Sequence, residues 1–172
     1  MEIVIRAETV ADYSKIREIN NRAFNQDTEE KLIQNLRKKK EYIAELSLVA
    51  EYKNQLVGHI LFFPISIIGK NNRFPTLALA PMSVLPEFQK KGIGSELIKE
   101  GLKIAKKLGF TSVIVVGHPQ YYSKFGFKKA STWNIRPPFD APDDAFMAIE
   151  LVKNALMDVS GMVEYPQEYL DD

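Results

Sequence analysis

The residues best suited by type and spacing to do chemistry lie between Pro81 and Ile98. Within that stretch, Gln89-Lys90-Lys91-Gly92-Ile93-Gly94 is a turn rich in backbone N–H donors at the expected start of a helix. Gly92 and Gly94 carry no Cβ, so a bulky anion can approach the main chain there. The helix dipole adds partial positive charge, and Lys90 and Lys91 add full charges. With Ser95 in the first helical turn, the segment from Gln89 to Ser95 reads as a phosphate cradle. Two plainer readings compete. A dinucleotide fingerprint needs a third glycine where Leu97 stands, and a strand–glycine turn to open it. A lone G-x-G more often marks only a strand-to-helix turn, but here the motif is longer.

The elements that must position this turn can be read on either side. Thr76 to Val84 is an apolar run that predicts a strand. Gly92 to Leu108 predicts a helix, with Ile93, Leu97, Ile98, Ala105 and Leu108 at helical spacing and Gly109 as its stop. Pro81 has no N–H to donate, so regular pairing of the strand must fail near it. That failure would leave open backbone groups beside Met82, Ser83 and Val84, an edge on which an extended amide chain could pair as another strand. Thr111 to Val116 predicts a short buried strand, making strand–helix–strand a parallel crossover.

Upstream, Ile3-Val4-Ile5-Arg6 predicts a strand, and Thr9 to Asp12 a capping box. The helix after it presents Tyr13, Ile16, Ile19, Ala23 and Phe24 on one face. Asp27 or Thr28 can cap a second helix, which turns Leu32, Ile33 and Leu36 inward. Its closing run, Arg37 to Lys40, reads as solvated partners of the helix dipole; without an aromatic platform it does not suggest nucleic acid. Leu46–Tyr52 and Gln55–Ile68 predict a hairpin turning at Lys53-Asn54, with Gly58 a candidate bulge and Pro64 an irregularity. Downstream, Lys128 to Ile135 predicts a strand, Arg136 to Asp144 a stiff proline-rich loop, and Ala145 to Leu151 a final core strand. From Val152 a tail follows, with a short strand at Met162–Tyr165.

Composition limits the classes. The chain has 172 residues, 45% of them hydrophobic, which predicts one domain with a full core. A net charge of +1 calls for neither nucleic acid nor membrane as partner. The absence of cysteine excludes a disulfide framework, a thiolate nucleophile and Cys-ligated metal; with only two histidines, no metal site is expected. Met1 to Arg6 has no signal-peptide character and no apolar run reaches membrane-spanning length, so a cytoplasmic protein is expected. Monomer and homodimer both stay open.

Taken as a whole, Val-x-Pro-x-x-Gln-x-x-Gly-x-Gly, ending at Gly94, resembles the acyl-CoA signature of the GNAT superfamily of N-acyltransferases. Gln89, Gly92 and Gly94 fall on its Q/R-x-x-G-x-G/A positions. A second stretch, Gly117-His118-Pro119-Gln120-Tyr121-Tyr122-Ser123-Lys124-Phe125-Gly126-Phe127, resembles another motif of the superfamily, in which a tyrosine one helical turn before Gly-Phe faces the thioester sulfur. Tyr122 takes that position. The segment departs from the commoner version, which is longer and carries an asparagine near its start. The resemblance covers roughly Ile3 to Leu151 and implies one domain over 1–151 with 152–172 as its extension. The implied class is α+β or α/β: a single-domain fold with a central mixed, mostly antiparallel sheet, splayed middle strands and flanking helices. It also implies acetyl-CoA as donor, held by Met82, Ser83 and Val84 and by the segment Gln89, Lys90, Lys91, Gly92, Ile93, Gly94 and Ser95, with Tyr122 as the catalytic acid.

An amine attacking a thioester needs a held acyl donor, a neutral nucleophile and a proton for the departing thiolate. A phenol, with a pKa near ~10 against ~8.5 for a thiol, can give that proton. Backbone N–H near Met82 to Val84 can polarise the carbonyl. For the base, Glu51, His59, Glu87 and His118 are candidates without a unique spacing argument, and water is an alternative. Phe62, Phe63, Trp133 and Phe139 are candidate acceptor-pocket residues, each more simply read as core or lid. The expected activity is acetyl transfer to a primary amine on a small molecule or protein. The competing class is a non-catalytic acyl-CoA sensor.

Overall fold

The computed structural model describes residues 1–171. In chain order the elements are β1 (Val4–Ala7), α1 (Tyr13–Phe24), α2 (Thr28–Arg37), β2 (Ser47–Tyr52), β3 (Gln55–Ile68), β4 (Arg73–Val84), α3 (Ile93–Lys107), β5 (Ser112–Val116), α4 (Pro119–Tyr122), β6 (Lys128–Lys129), β7 (Ile135–Arg136), β8 (Phe146–Glu150), β9 (Gly161–Glu164) and α5 (Gln167–Leu170). The strands form one mixed sheet in the order β1-β2-β3-β4-β5-β8-β6, with β9 bonded to both β3 and β7. β1–β2, β2–β3, β3–β9, β5–β8 and β6–β8 pair antiparallel, whereas β4–β5 and β7–β9 pair parallel. Among the described residues no helix is long and apolar enough to cross a membrane.

Two compact units divide the chain, drawn mainly from Met1–Phe63 with Ala80–Ile104, and from Pro64–Leu79 with Ala105–Leu170. In the first, β1, β2 and the front of β3 are antiparallel neighbours. Ile16 and Ile19 of α1, Ile33 and Leu36 of α2, and Ile93, Leu97 and Ile98 of α3 are all buried. The register of β2 on β3 slips between Ala50↔Gly58 and Glu51↔Leu56, a bulge at the predicted glycine that leaves Val57 outside the β2 ladder. The Val57 carbonyl accepts the Leu85 N–H at 2.9 Å and so pins the end of β4.

In the second unit β5 pairs with β8 from Ser112↔Glu150 to Val116↔Phe146, while its parallel register with β4 is the single pair Ala78↔Ile114. Beyond Ala78 the two strands run on without a ladder, as Pro81 predicted. The expected strand over Lys128 to Ile135 is corrected. Two residues pair as β6, a 3₁₀ turn occupies Ala130–Trp133, and Asn134 at φ 57 reverses the chain into β7. A left-handed residue cannot continue a pleat, so the apolar pattern there marks a buried turn. The motif helix is likewise one α-turn, α4, continued by a 3₁₀ turn over Ser123–Phe125.

The basic run after α2 also needs correction. Lys38 and Lys40 are exposed, but the Arg37 side chain is only 9% exposed. Its guanidinium donates to Glu8 at 2.7 and 3.2 Å and stacks 3.7 Å above the Tyr13 ring. The Tyr42 hydroxyl donates to the same carboxylate. Arg37 therefore balances a buried charge and ties α1 and α2 to the chain leaving β1. Removing one partner of such a pair strands the other.

His59 lies beside this pair, fully buried, with Nε2 4.0 Å from Glu8 and 2.8 Å from Ser47 Oγ. Burial, helped by the charge of Arg37, pushes its pKa down to about 3. An unfolded histidine titrates near ~6.5. Between those values the unfolded chain binds a proton that the folded chain refuses, so this contribution is intact above the unfolded pKa and is lost as pH falls through the window. Thermal unfolding should show stability falling below about pH 6.5, with a His59 slope approaching ~1.4 kcal/mol per pH unit. A His59→Gln variant should flatten that slope; equal slopes would assign the acid loss to carboxylates alone.

Candidate active site

The residues expected to form the cradle lie at the junction of β4 and α3, inside the first unit. Leu85 leaves the strand on its bond to Val57, and a 3₁₀ turn spans Pro86–Phe88. Arg22 of α1 grips this turn through both Glu87 oxygens at 2.8 Å. The Gln89 side-chain amide donates to the Val84 carbonyl at 3.0 Å, folding the loop back on the strand end. Lys90 (φ 62) and Gly92 (φ 85) are both left-handed, which turns the chain sharply into α3. The Gly92 carbonyl accepts the Glu96 N–H at 3.1 Å. The N–H donors of Ile93 and Gly94 come in the first turn, where a helix offers no intrahelical acceptor.

Gly92 combines two properties. Its φ disfavours any side chain, and a Cβ built on it would meet nothing within 4 Å. The glycine therefore serves the backbone turn and an open approach rather than packing. Ile93 and Leu97 anchor the helix start in the core while Lys90 and Lys91 stay exposed. On β4, Met82 and Val84 are half-buried and Ser83 is buried. The Ser83 hydroxyl has no hydrogen-bond partner among the described residues. The residues expected from Met82 to Ser95 are thus gathered along one strand end and one helix start.

Tyr122 belongs to the second unit. Gly117 follows β5, its N–H bonded to the Ala145 carbonyl at 2.9 Å. The His118 carbonyl accepts the N–H of both Tyr121 and Tyr122 at 3.1 Å, with Pro119 preset for the first turn. The Tyr122 ring lies directly on Gly117: a Cβ there would come within 2.3 Å of it. Phe127 and Tyr121 hold its other sides edge-on, at 5.6 and 5.1 Å between centroids. Burial, with Tyr121 beside it, raises the phenol to about 12. It therefore keeps its proton throughout the neutral range. Tyr121 packs differently, against Phe125 at 5.3 Å and under Lys124.

The candidate bases separate cleanly. Glu51 is paired with Arg6 at 2.6 Å. Glu87 is held by Arg22, and its own backbone N–H together with that guanidinium keeps its carboxyl below the usual range. His59 is sealed in the core, and Ser47 and Glu8 approach the same ring nitrogen, so the trio cannot relay a proton. His118 alone of the four is exposed and bears no ion pair among the described residues. Of the aromatic candidates, Phe62 and Phe63 are core. Trp133 is half-buried, and Phe139, 37% exposed, caps Phe146 and Tyr165 at 6.2 and 5.6 Å. Tyr165 and Tyr169, stacked behind it, carried no periodic signal by which to find them.

Comparison with known proteins identifies the family. A family model described as an acetyltransferase (GNAT) domain matches residues 4–130. The uncharacterized N-acetyltransferase YhbS of Escherichia coli is 30% identical over 168 residues, covering 97% of this chain and 98% of its own. A second N-acetyltransferase of that organism, YjhQ, is 35% identical over 135 residues, 78% of this chain and 75% of its own. The crystal structure of Escherichia coli YhbS in complex with CoA superposes with a TM-score of 0.91 at 28% identity, over 99% of this chain and 93% of that one. A GNAT family acetyltransferase from Brucella melitensis in complex with acetyl-CoA gives 0.79 at 29% identity, over 98% of each chain. With a family model over most of its length and relatives matched nearly end to end, the chain belongs to the GNAT acetyltransferase family.

Proposed function

We propose that the protein moves the acetyl group of acetyl-CoA to a primary amine by direct attack within a ternary complex. The observation that carries this is the cradle at Gly92: a left-handed turn, open where a Cβ would stand, at the head of α3. The first-turn N–H groups of Ile93 and Gly94 take the diphosphate, and Lys90 and Lys91 add charge. Met82 to Val84, on the part of β4 beyond its one pair with β5, take the amides of the pantetheine arm. The unpartnered Ser83 hydroxyl is a further group that fits a polar ligand. The complexes of YhbS with CoA and of the Brucella melitensis protein with acetyl-CoA support the same donor.

The amine nitrogen attacks the thioester carbon, the carbon–sulfur bond breaks, and the sulfur leaves with the electron pair. The chain has no cysteine, and this route needs no covalent enzyme intermediate. Tyr122 donates to the departing sulfur. Its pKa of about 12 lies above that of a thiol at ~8.5, so complete transfer is uphill and the phenol acts mainly as a hydrogen-bond donor while charge builds. His118 takes the proton from the acceptor ammonium.

Gly92→Asp places both a Cβ and a negative charge where phosphate meets the main chain. Its acetyl-CoA affinity by calorimetry should fall roughly a hundredfold or more, since several charge-assisted bonds are lost. Unchanged affinity would put the cradle elsewhere. Tyr122→Phe should lower single-turnover rates by roughly 10²-fold, the low end for general-acid loss, with donor KM nearly unchanged. Tyr121→Phe is the matched control, and equal rates for wild type and Tyr122→Phe would remove the phenol from the reaction. His118→Gln should lower kcat/KM by roughly 10²-fold if the ring takes the acceptor's proton. An unchanged kcat/KM would hand the step to water.

A further inference from the structure

The second unit carries a cleft for which neither motif accounts. It has a volume of about 580 Å³ and lies where the end of β3 meets β7 and β9. Lys70, Ser131, Asn134, Arg136, Ser160 and Gly161 supply its polar and backbone lining. The volume is within the usual range for small-molecule sites. Its wall is basic: Lys70 and Arg136 face it, no carboxylate of the described residues lines it, and neither cation forms an ion pair with a described residue. The one acid of β9, Glu164, is already bound to Arg73 at 2.6 Å.

The floor is rigid. Gly161 sits at φ 139, and a Cβ on it would fall 2.0 Å from the Ile68 carbonyl, so only glycine lets β9 lie this close to β3. Ile68↔Met162 and Ile135↔Gly161 fix the strands on either side. Asn134, left-handed at φ 57, accepts the Gly161 N–H at 3.2 Å and starts β7 immediately before Arg136. A guanidinium on a paired strand, an ammonium across from it and two serine hydroxyls form a donor set without a competing acceptor charge. That set matches a phosphate group, which offers several strong acceptors and up to two negative charges.

We propose that this cleft binds a phosphorylated small molecule, phosphate first, between Arg136 and Lys70. The site is separate in its residues from the acetyl-CoA cradle and does not depend on it.

Titrating the whole chain with inorganic pyrophosphate, with and without one equivalent of coenzyme A to occupy the cradle, tests this by amide chemical shifts. Saturable shifts should concentrate at residues 69–70, 131–136 and 160–161, and Lys70→Gln/Arg136→Gln should weaken them roughly tenfold or more, as expected for lost charge-assisted bonds. Both side chains are exposed, so the double variant should unfold at the wild-type temperature; if it does not, Lys70→Gln alone, outside any strand, serves instead. Shifts spread over the lysine-rich surface, shifts only near Gly92, or unaltered affinity in the variants would overturn the proposal.

Discussion

One constraint governs this structure: the middle of its sheet must stay open. β4 and β5 share a single register pair, Ala78↔Ile114, in a place where parallel strands ordinarily form a full ladder. A gap between central strands leaves backbone groups without ladder partners, so each strand must be secured from its other side. β5 obtains this from five antiparallel pairs with β8. At the end of β4, Leu85 is bonded to the carbonyl that the bulge at Val57 holds clear of β2. The bulge, the proline and the turn at Gly92 therefore belong to one arrangement.

Polar groups inside the first unit follow a second logic. Glu8 and Arg37 join segments far apart in sequence through a bidentate contact that both burial and stacking on Tyr13 make directional. Such a pair adds little net stability relative to apolar packing, yet it permits few alternative arrangements of α1 against α2. His59 can sit next to it only as a neutral ring. These groups hold the scaffold.

Much of this was legible in the chain. β3 appeared at its observed bounds, Gln55–Ile68, because an uninterrupted apolar run between turn residues has few other solutions. The start of α3 was legible because glycine spacing, flanking charge and helical periodicity coincide within a few residues. What failed did so for want of a local signal. Arg37 looks like its lysine neighbours, and only the distant Glu8 makes it an interior residue. The apolar residues of 128–135 have a strand's composition, but Asn134 turns left-handed, and composition does not report φ. The high pKa of Tyr122 arises from three-dimensional burial that a motif cannot encode.

Gly117 shows how position can be specified by something missing. The phenol ring occupies the volume that any side chain at 117 would fill, so the orientation of Tyr122 is set by a residue that contributes no atom beyond its main chain. Even one methyl group there would displace the ring, while the turn at Gly92, built from other residues, would keep its form. The place of Tyr122 is thus encoded at a second position, one that inspection of the tyrosine alone would never flag.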